Sequence, residues 1–388
     1  MSAALVDLVS KGAQDVYITG DPEVSFFRQN FRRHTNFAIK PERVDYIGQF
    51  NGGAEVTIPI KSKGDLLSYV WIEAPDIQTA FNADTALQKG LFATGQSATE
   101  FTLLIGGQQV CKLDSLFIQG VHNVLYNDTS AKASCAATTA LVSANAKSAI
   151  GTRVGSDYFV IPFFFSEDWT KALPLVAMQY HEVEIRIKCR SGLGPSGNGF
   201  GATPKVYANY VYLDTDERNR LLNTEQEILI TQTQHQIMDA NIPGPVAVDV
   251  DLTYFNHPSK AIHLISSAAD GGAWDDEVKF DSATLYINGQ PLFEDMSDTY
   301  HHNVVPEMHC TVLPSGVVNS VPLFTWPFCI KLNGSQPSGS LNFSRVDNSK
   351  LVLKNLTIAG SPNMLRVYTV NYNILRVKNG LAGVAFGN

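Results

Sequence analysis

Few residues in this chain have the types and spacing that chemistry requires. His301, His302, His309 and Cys310 gather metal-type ligands in one short stretch. Zinc sites, however, take ligands at tight paired spacings, and adjacent histidines in a strand point to opposite faces. The cluster therefore reads as ordinary packed or surface side chains. Gly192, Gly194 and Gly197 match a G-x-G-x-x-G fingerprint, but a dinucleotide site needs that turn to open a helix. Pro195 and the Asn-Gly-Phe-Gly that follows offer none, so this segment reads as a loop. Asp214, Asp216 and Glu217 have the charge to hold a cation and read instead as a polar interdomain corner. His181-Glu182 lacks the second histidine of H-E-x-x-H, no serine sits in G-x-S-x-G, and no cysteine has a His and acid pattern nearby. No catalytic residue, metal site or cofactor is expected, and the chain does not read as an enzyme.

Contact chemistry is better represented. Residues 23–33 set Phe26, Phe27 and Phe31 beside Arg28, Arg32 and Arg33. Such a patch suits an acidic partner or a membrane surface. The plainer reading is an irregular arm with solvated arginines. Residues 336–353, QPSGSLNFSRVDNSKLVL, form a strand–turn–strand corner in which Pro337 presets φ and Gly339 can take φ > 0. Arg345 and Asp347 sit at its tip, where they either form a buried or interfacial pair or are simply exposed turn residues.

The elements that must position these groups are strands. Phe, Tyr, Thr, Val and Ile recur in short runs punctuated by 29 Gly and 18 Pro, which points to β structure. A length of 388 residues suggests two domains, and 44% hydrophobic against 17% charged residues indicates a folded chain. The formal charge of −8 argues against a dedicated nucleic-acid binder, which needs a basic face. Five cysteines without a CxxC pair read as reduced, mostly buried thiols in an intracellular setting. Asp7 and Lys11 break up the N-terminal apolar stretch, so no signal peptide is read there. The longest apolar run, 158–165, contains Pro162 and falls far short of the ~20 residues of a bilayer span. Asn127, Asn333, Asn342 and Asn355 begin N-x-S/T sequons, expected to be unused without a secretory signal.

Taken in order, residues 4–9 predict a brief helix with Ser2 as its cap, 16–18 a strand, and 44–50, 55–60 and 66–73 further strands. Residues 101–105 and 109–112 flank Gly106-Gly107, a hairpin signal. Leu113, Leu116, Phe117, Val121, Val124 and Leu125 then mark an amphipathic helix, the clearest in the chain. Residues 127–157 and 191–204 read as long loops. A second β series begins after the polar stretch 214–219.

The halves repeat. Thr102-Leu-Leu-Ile-Gly-Gly-Gln108 aligns with Thr284-Leu-Tyr-Ile-Asn-Gly-Gln290, each a strand entering a hairpin turn. An apolar-periodic segment follows each, at 113–125 and, more weakly, at 292–300. Val160-Ile-Pro162-Phe163 is echoed by Thr325-Trp-Pro327-Phe328. These features predict an all-β chain of two consecutive eight-stranded antiparallel jelly rolls, with a short N-terminal arm. The expected divisions are an arm at 1–40, a first roll at 41–216 and a second at 217–388.

Two stretches, GAQDVYITGDPEVSFFRQNFRRHTNFAI from residue 12 and the corner at 336–353, resemble signatures of the major capsid proteins of nucleocytoplasmic large DNA viruses, especially those of algae. Leu173-Pro174-Leu175, the run 179–183, Tyr212-Leu213-Asp214-Thr215, Phe255-Asn256-His257-Pro258 and Tyr372-Asn373 add to the likeness. The resemblance implies a double jelly roll whose trimers form pseudo-hexagonal capsomers tiling an icosahedral virion shell, assembled in the host cytoplasm. It implies partners in neighbouring copies, in minor capsid, cement and penton proteins, and in an internal membrane reached by the arm, with no specific nucleic acid. Phe26, Phe27, Arg28, Arg32 and Arg33 would then be an inner-face contact patch, and 127–157 and 191–204 outer loops. Second-half loops such as 267–280 are short for the family. A carbohydrate-binding β-sandwich surface protein is the alternative reading.

Overall fold

The computed structural model describes residues 10–29, 31–50, 53–74, 99–132, 157–189, 204–240, 245–268, 278–313, 322–358 and 363–387. The helix expected at 4–9, most of the two long loops (133–156 and 191–203), residues 269–277 and Cys135 lie outside them. The chain divides into two compact units, 1–36 and 37–388.

In the smaller unit, Val16–Thr19 is a single helical turn and not the expected strand. The Gly12 amide donates to Asp15 Oδ2 at 2.9 Å, and Thr19 Oγ1 donates to the Asp15 carbonyl at 2.7 Å, which closes the turn. A strand here would need a partner for its backbone groups, and the described residues of this unit supply none.

The larger unit is built from short strands. In the first half these are β1 (Phe37–Val44), β2 (Glu55–Ile60), β3 (Leu66–Ala74), β4 (Glu100–Ile105), β5 (Gln108–Asp114), β6 (Asp157–Val160), β7 (Val183–Lys188) and β8 (Lys205–Leu213). They form two antiparallel sheets in the orders β1-β8-β3-β6 and β2-β7-β4-β5. Alternation decides the inward face: Val56, Ile58 and Ile60 of β2, like Val183, Ile185 and Ile187 of β7, are buried between polar neighbours.

The second half holds β9 (Gln226–Ala240), β10 (Val246–Asp251), β11 (Pro258–Ala268), β12 (Val278–Lys279), β13 (Ser282–Ile287), β14 (Gln290–Met296), β15 (Leu323–Pro327), β16 (Leu341–Asn342), β17 (Ser349–Ile358), β18 (Asn363–Lys378) and β19 (Leu381–Val384). With the short β12, β16 and β19 set aside, the sheets run β9-β18-β11-β15 and β10-β17-β13-β14. That is the order of the first half repeated strand for strand. The fold is a double jelly roll, as expected.

Both predicted hairpins are present. Gly106 and Gly107 have φ of 56° and 79°, and Asn288 and Gly289 have 49° and 80°. Positive φ at both central residues is the turn whose twist suits a two-residue hairpin. After the first hairpin comes a helix at 115–125, capped by Asp114, whose Oδ1 accepts from the Phe117 amide at 2.6 Å. Its middle, Ile118–His122, widens into a π-turn. The second hairpin is also followed by a helix, at 300–309, again opening with a π-turn at Tyr300–Val304. It lies beyond the predicted 292–300, because the hairpin continues as β14 through Met296. Phe293 and Asp295 take positive φ there, and the register shifts between Ala283 and Leu285, so a bulged edge strand mimics helical spacing. Two smaller differences are local. The strand expected at 44–50 ends at Val44, leaving only an Ile47–Thr57 bridge. The polar corner at 214–219 opens a helix, Thr215–Asn223, capped by Asp214.

Two cores hold this unit. One fills the first roll and continues onto the outer face of the β9-β18-β11-β15 sheet, through Ala261, Ile265, Tyr368 and Val370. The other, with Ile262, Leu264, Phe324, Trp326, Leu365 and Val367, is enclosed within the second roll.

Candidate functional site

Strand period places alternate residues of β11, β15 and β18 on opposite faces. Ile262, Leu264, Phe324, Trp326, Leu365 and Val367 point into the second core. Lys260, His263, Thr325, Arg366 and Tyr368 are nevertheless buried too. They meet the first roll across a seam of polar contacts, and this seam is the distinctive site of the molecule.

Asp114 is its hub. Besides capping the 115–125 helix, it accepts from the Tyr368 hydroxyl at 2.9 Å and lies 3.8 Å from Arg366 Nη1, with the two charged side chains only 4% and 2% exposed. Burial, and then the Asp114 charge, push the Tyr368 pKa well above the ordinary phenol value. Further along, Tyr126 lies 2.7 Å from His263 Nε2, while His263 Nδ1 is 3.0 Å from Thr325 Oγ1. Burial lowers the His263 pKa to about 3, so the ring is a neutral bridge donating from one nitrogen and accepting at the other. Gln232 Nε2 donates to the Val110 carbonyl at 2.6 Å, and Asn333 Nδ2 donates to the Asn127 carbonyl. A buried polar network of this kind fixes one register between the two rolls. The sequons at Asn127 and Asn333 are buried within it.

A cavity of about 620 Å³ opens beside the seam. Its walls include Tyr126, Phe159, Pro162, Phe165, Trp169 and Lys260. Lys260 Nζ donates to the Leu332 carbonyl at 2.8 Å and lies over the rings of Tyr126 and Tyr372, 5.2 and 5.6 Å from their centroids. Desolvation lowers its pKa, opposed chiefly by Glu167. Glu167 is bound to Lys171 at 2.7 Å and accepts from Thr231 Oγ1 at 2.8 Å. Burial works to raise its pKa, but the lysines and Thr231 outweigh it and the carboxyl stays below its usual range. His122, delivered by the π-turn, lines the same wall, and burial lowers its pKa.

The histidines that looked like metal ligands serve the backbone. Nδ1 of His301, His302 and His309 lies 3.0, 2.8 and 2.9 Å from the carbonyls of Thr325, Leu323 and Cys329, which fastens the 300–309 helix to β15 and the segment after it. No group of three or more His, Cys, Asp or Glu able to hold a metal occurs among the described residues. The four described cysteines are free thiols, and burial pushes Cys111 to about 12 and Cys189 to about 11.

At the 336–353 corner Gly339 takes φ of 133°, where an added Cβ would lie 2.8 Å from the Phe328 carbonyl. Arg345 and Asp347 are exposed, so they form no buried pair within the chain. The corner is held instead by Asn288, whose Oδ1 accepts from the amides of Asp347 and Asn348, each at 3.1 Å. In the sequence Asn288 is legible only as a turn residue. In the arm, Phe26 and Phe27 are 93% and 102% exposed, and Arg28, Arg32 and Arg33 are exposed with them.

Two jelly rolls of one strand order, fused along a buried seam, define a double jelly-roll protein. Comparison with known proteins makes this specific. The family described as major capsid protein N-terminus matches residues 25–214, and that described as large eukaryotic DNA virus major capsid protein matches 217–383. The chain is 31% identical over 415 residues to the major capsid protein of Pyramimonas orientalis virus, covering 100% of both. It is 29% identical over 457 residues to that of Paramecium bursaria Chlorella virus 1, again covering 100% of both. Among solved structures, the PBCV-1 virus capsid protein superposes with a TM-score of 0.75 at 26% identity, over 94% of this chain and 100% of that one. The Faustovirus major capsid protein shares the fold, with a TM-score of 0.66 at 11% identity over 95% of each. The chain belongs to the family of major capsid proteins of large eukaryotic DNA viruses.

Proposed function

We propose that this protein is the principal building block of an icosahedral virion shell, acting by assembly and not by catalysis. Three copies form a capsomer, and two rolls per copy give it six similar units and a pseudo-hexagonal outline. The observation that carries this reading is the strand order repeated within one chain across a rigid buried seam. Residues 41–216 and 217–388 act as the two assembly units. Contacts within the trimer bury large apolar areas, whereas capsomer–capsomer contacts are more polar and weaker, so misplaced units can leave.

The repeat also suggests where copies meet. In the first roll the 115–125 helix is covered by the second roll of the same chain. The matching 300–309 helix leaves Met308 72% exposed, and Ile330, whose carbonyl lies 3.1 Å from Nδ1 of His309, is 70% exposed. In a ring of six similar units, the next copy's first roll covers it.

The arm, 1–40, faces inward, where Phe26, Phe27, Arg28, Arg32 and Arg33 meet minor capsid proteins or an internal membrane. Cement and penton proteins complete the shell, assembly takes place in the host cytoplasm, and no specific nucleic acid is bound. Arg345 and Asp347 are contact residues at a corner of the capsomer. Native mass measurement with negative-stain imaging tests the reading. Pseudo-hexagonal particles of three chains are expected, and monomers under all conditions would overturn it. Deleting residues 1–25 is expected to leave a soluble trimer that builds shells poorly; normal shells would remove the arm's role.

A further inference from the structure

We propose that the cavity beside Lys260 binds an amphiphilic carboxylate, of which a fatty acid is the simplest example. The inference stands apart from the capsid reading, since it rests on one wall of one chain. The first observation is charge. Lys260 is only 3% exposed, yet among the described residues its ammonium has one hydrogen bond, to a neutral carbonyl, and no salt bridge. The carboxylate whose field reaches it, Glu167, is already bound to Lys171 and Thr231. Two ammonium groups, those of Lys171 and Lys260, therefore share one anion. The other acids of the lining are already engaged: Asp128 pairs with Lys132 at 2.8 Å, and Asp168 caps the Thr170 amide at 3.0 Å. A buried cation without its own counter-ion is costly, and a ligand carboxylate would supply one.

The second observation is shape and lining. The cavity, at about 620 Å³, falls within the range of about 300–1,000 Å³ typical of small-molecule sites. Apolar groups of Phe159, Val160, Pro162, Phe165, Trp169 and Leu332 form much of the wall. An inorganic anion would leave these surfaces without a partner, whereas a hydrocarbon tail would cover them while its headgroup met Lys260.

Laurate is the probe, titrated into the purified full-length protein and followed by calorimetry and native mass spectrometry. One laurate per chain is expected. Dodecanol, which has the same tail without the charge, should bind about tenfold more weakly. Lys260→Met keeps an apolar stem and should lower laurate affinity about tenfold while leaving dodecanol unchanged. Trp169→Ala, at the exposed rim, should weaken both ligands. Failure of laurate to bind, equal affinity for laurate and dodecanol, or full laurate affinity in Lys260→Met would overturn the proposal. Should the Met variant fail to fold, the laurate–dodecanol ratio and Trp169→Ala still decide it.

Discussion

The two rolls share a strand order and differ in what covers their helices. In the first, Leu116, Phe117, Ile118, Val121, Val124 and Leu125 are all buried, and beyond them lie His263, Arg366 and Tyr368 of the second roll. In the second, His301, Val305 and Pro306 turn inward while Val304 and Met308 face out. The same element is thus an internal seam in one copy and an open face in the other. The turns diverge likewise. Position 106 is glycine, because a Cβ there would lie 2.7 Å from the His181 ring, whereas its counterpart Asn288 uses its side chain to latch a distant corner. In a duplicated fold, strand order records ancestry and side chains record which neighbour each copy meets.

The comparison can be broken most forcefully at the hub. Asp114→Ala removes a helix cap and the carboxylate facing the buried Arg366 and Tyr368, and should cost about 3–5 kcal/mol in denaturant unfolding. Asp298→Ala before the second helix removes a carboxylate that caps only the Thr299 turn, at 2.6 Å, and should cost about 1 kcal/mol. Equal losses would show that the seam has no privileged role.

Acid should test both halves next. The His263 pKa lies at about 3 and that of His301 at about 4, both lowered by burial. Each is held neutral in the fold, while the unfolded chain takes up the proton near pH 6.5. Stability is therefore full above pH 6.5 and is lost as pH falls, toward 4 for His301 and 3 for His263, at about 1.4 kcal/mol per unit for each. Urea titrations at pH 7 and 4.5 should differ by several kcal/mol, and His263→Gln, which can still donate and accept, should recover a measurable part of the difference. An unchanged acid loss in that variant would contradict the neutral bridge.

The turns offer a smaller, paired test. Gly106→Ala must displace His181 and should cost about 2 kcal/mol, whereas Gly107→Ala and Gly289→Ala meet open space at φ of 79° and 80° and should cost about 1 kcal/mol each. Met308→Asp should change single-chain stability least, by less than about 0.5 kcal/mol. Its trimer yield in native mass spectra should nevertheless collapse, and a normal yield would remove the proposed covering of that helix.

What was legible in the chain was what is local. Hairpins at Gly106-Gly107 and Asn288-Gly289, the positive φ of Gly339 and the alternation of β2 and β7 follow from turn chemistry and a period of two. The seam was not legible. AIHLIS in β11 and LRVYTVNYN in β18 alternate as though one face met water, because alternation reports a difference between faces and not what covers them. His263 and Tyr368 are covered by a helix more than a hundred residues earlier in the chain. Val16 to Ile18 misled for the opposite reason: β-favouring side chains make no strand without a partner.

The connectivity of the sheets also sets an order in time. In each roll the first strand pairs with the eighth of the shared order, β1 with β8 and β9 with β18. A chain emerging from its N-terminus can close the first roll once residue 213 is available. The second must hold β9 unpaired until β18 is made, some hundred and twenty residues later. Because Arg366 and Tyr368 also lie on β18, their contacts with Asp114 form in that same late step. The Asp114 hub of the seam is thus completed only in a chain that is almost fully made.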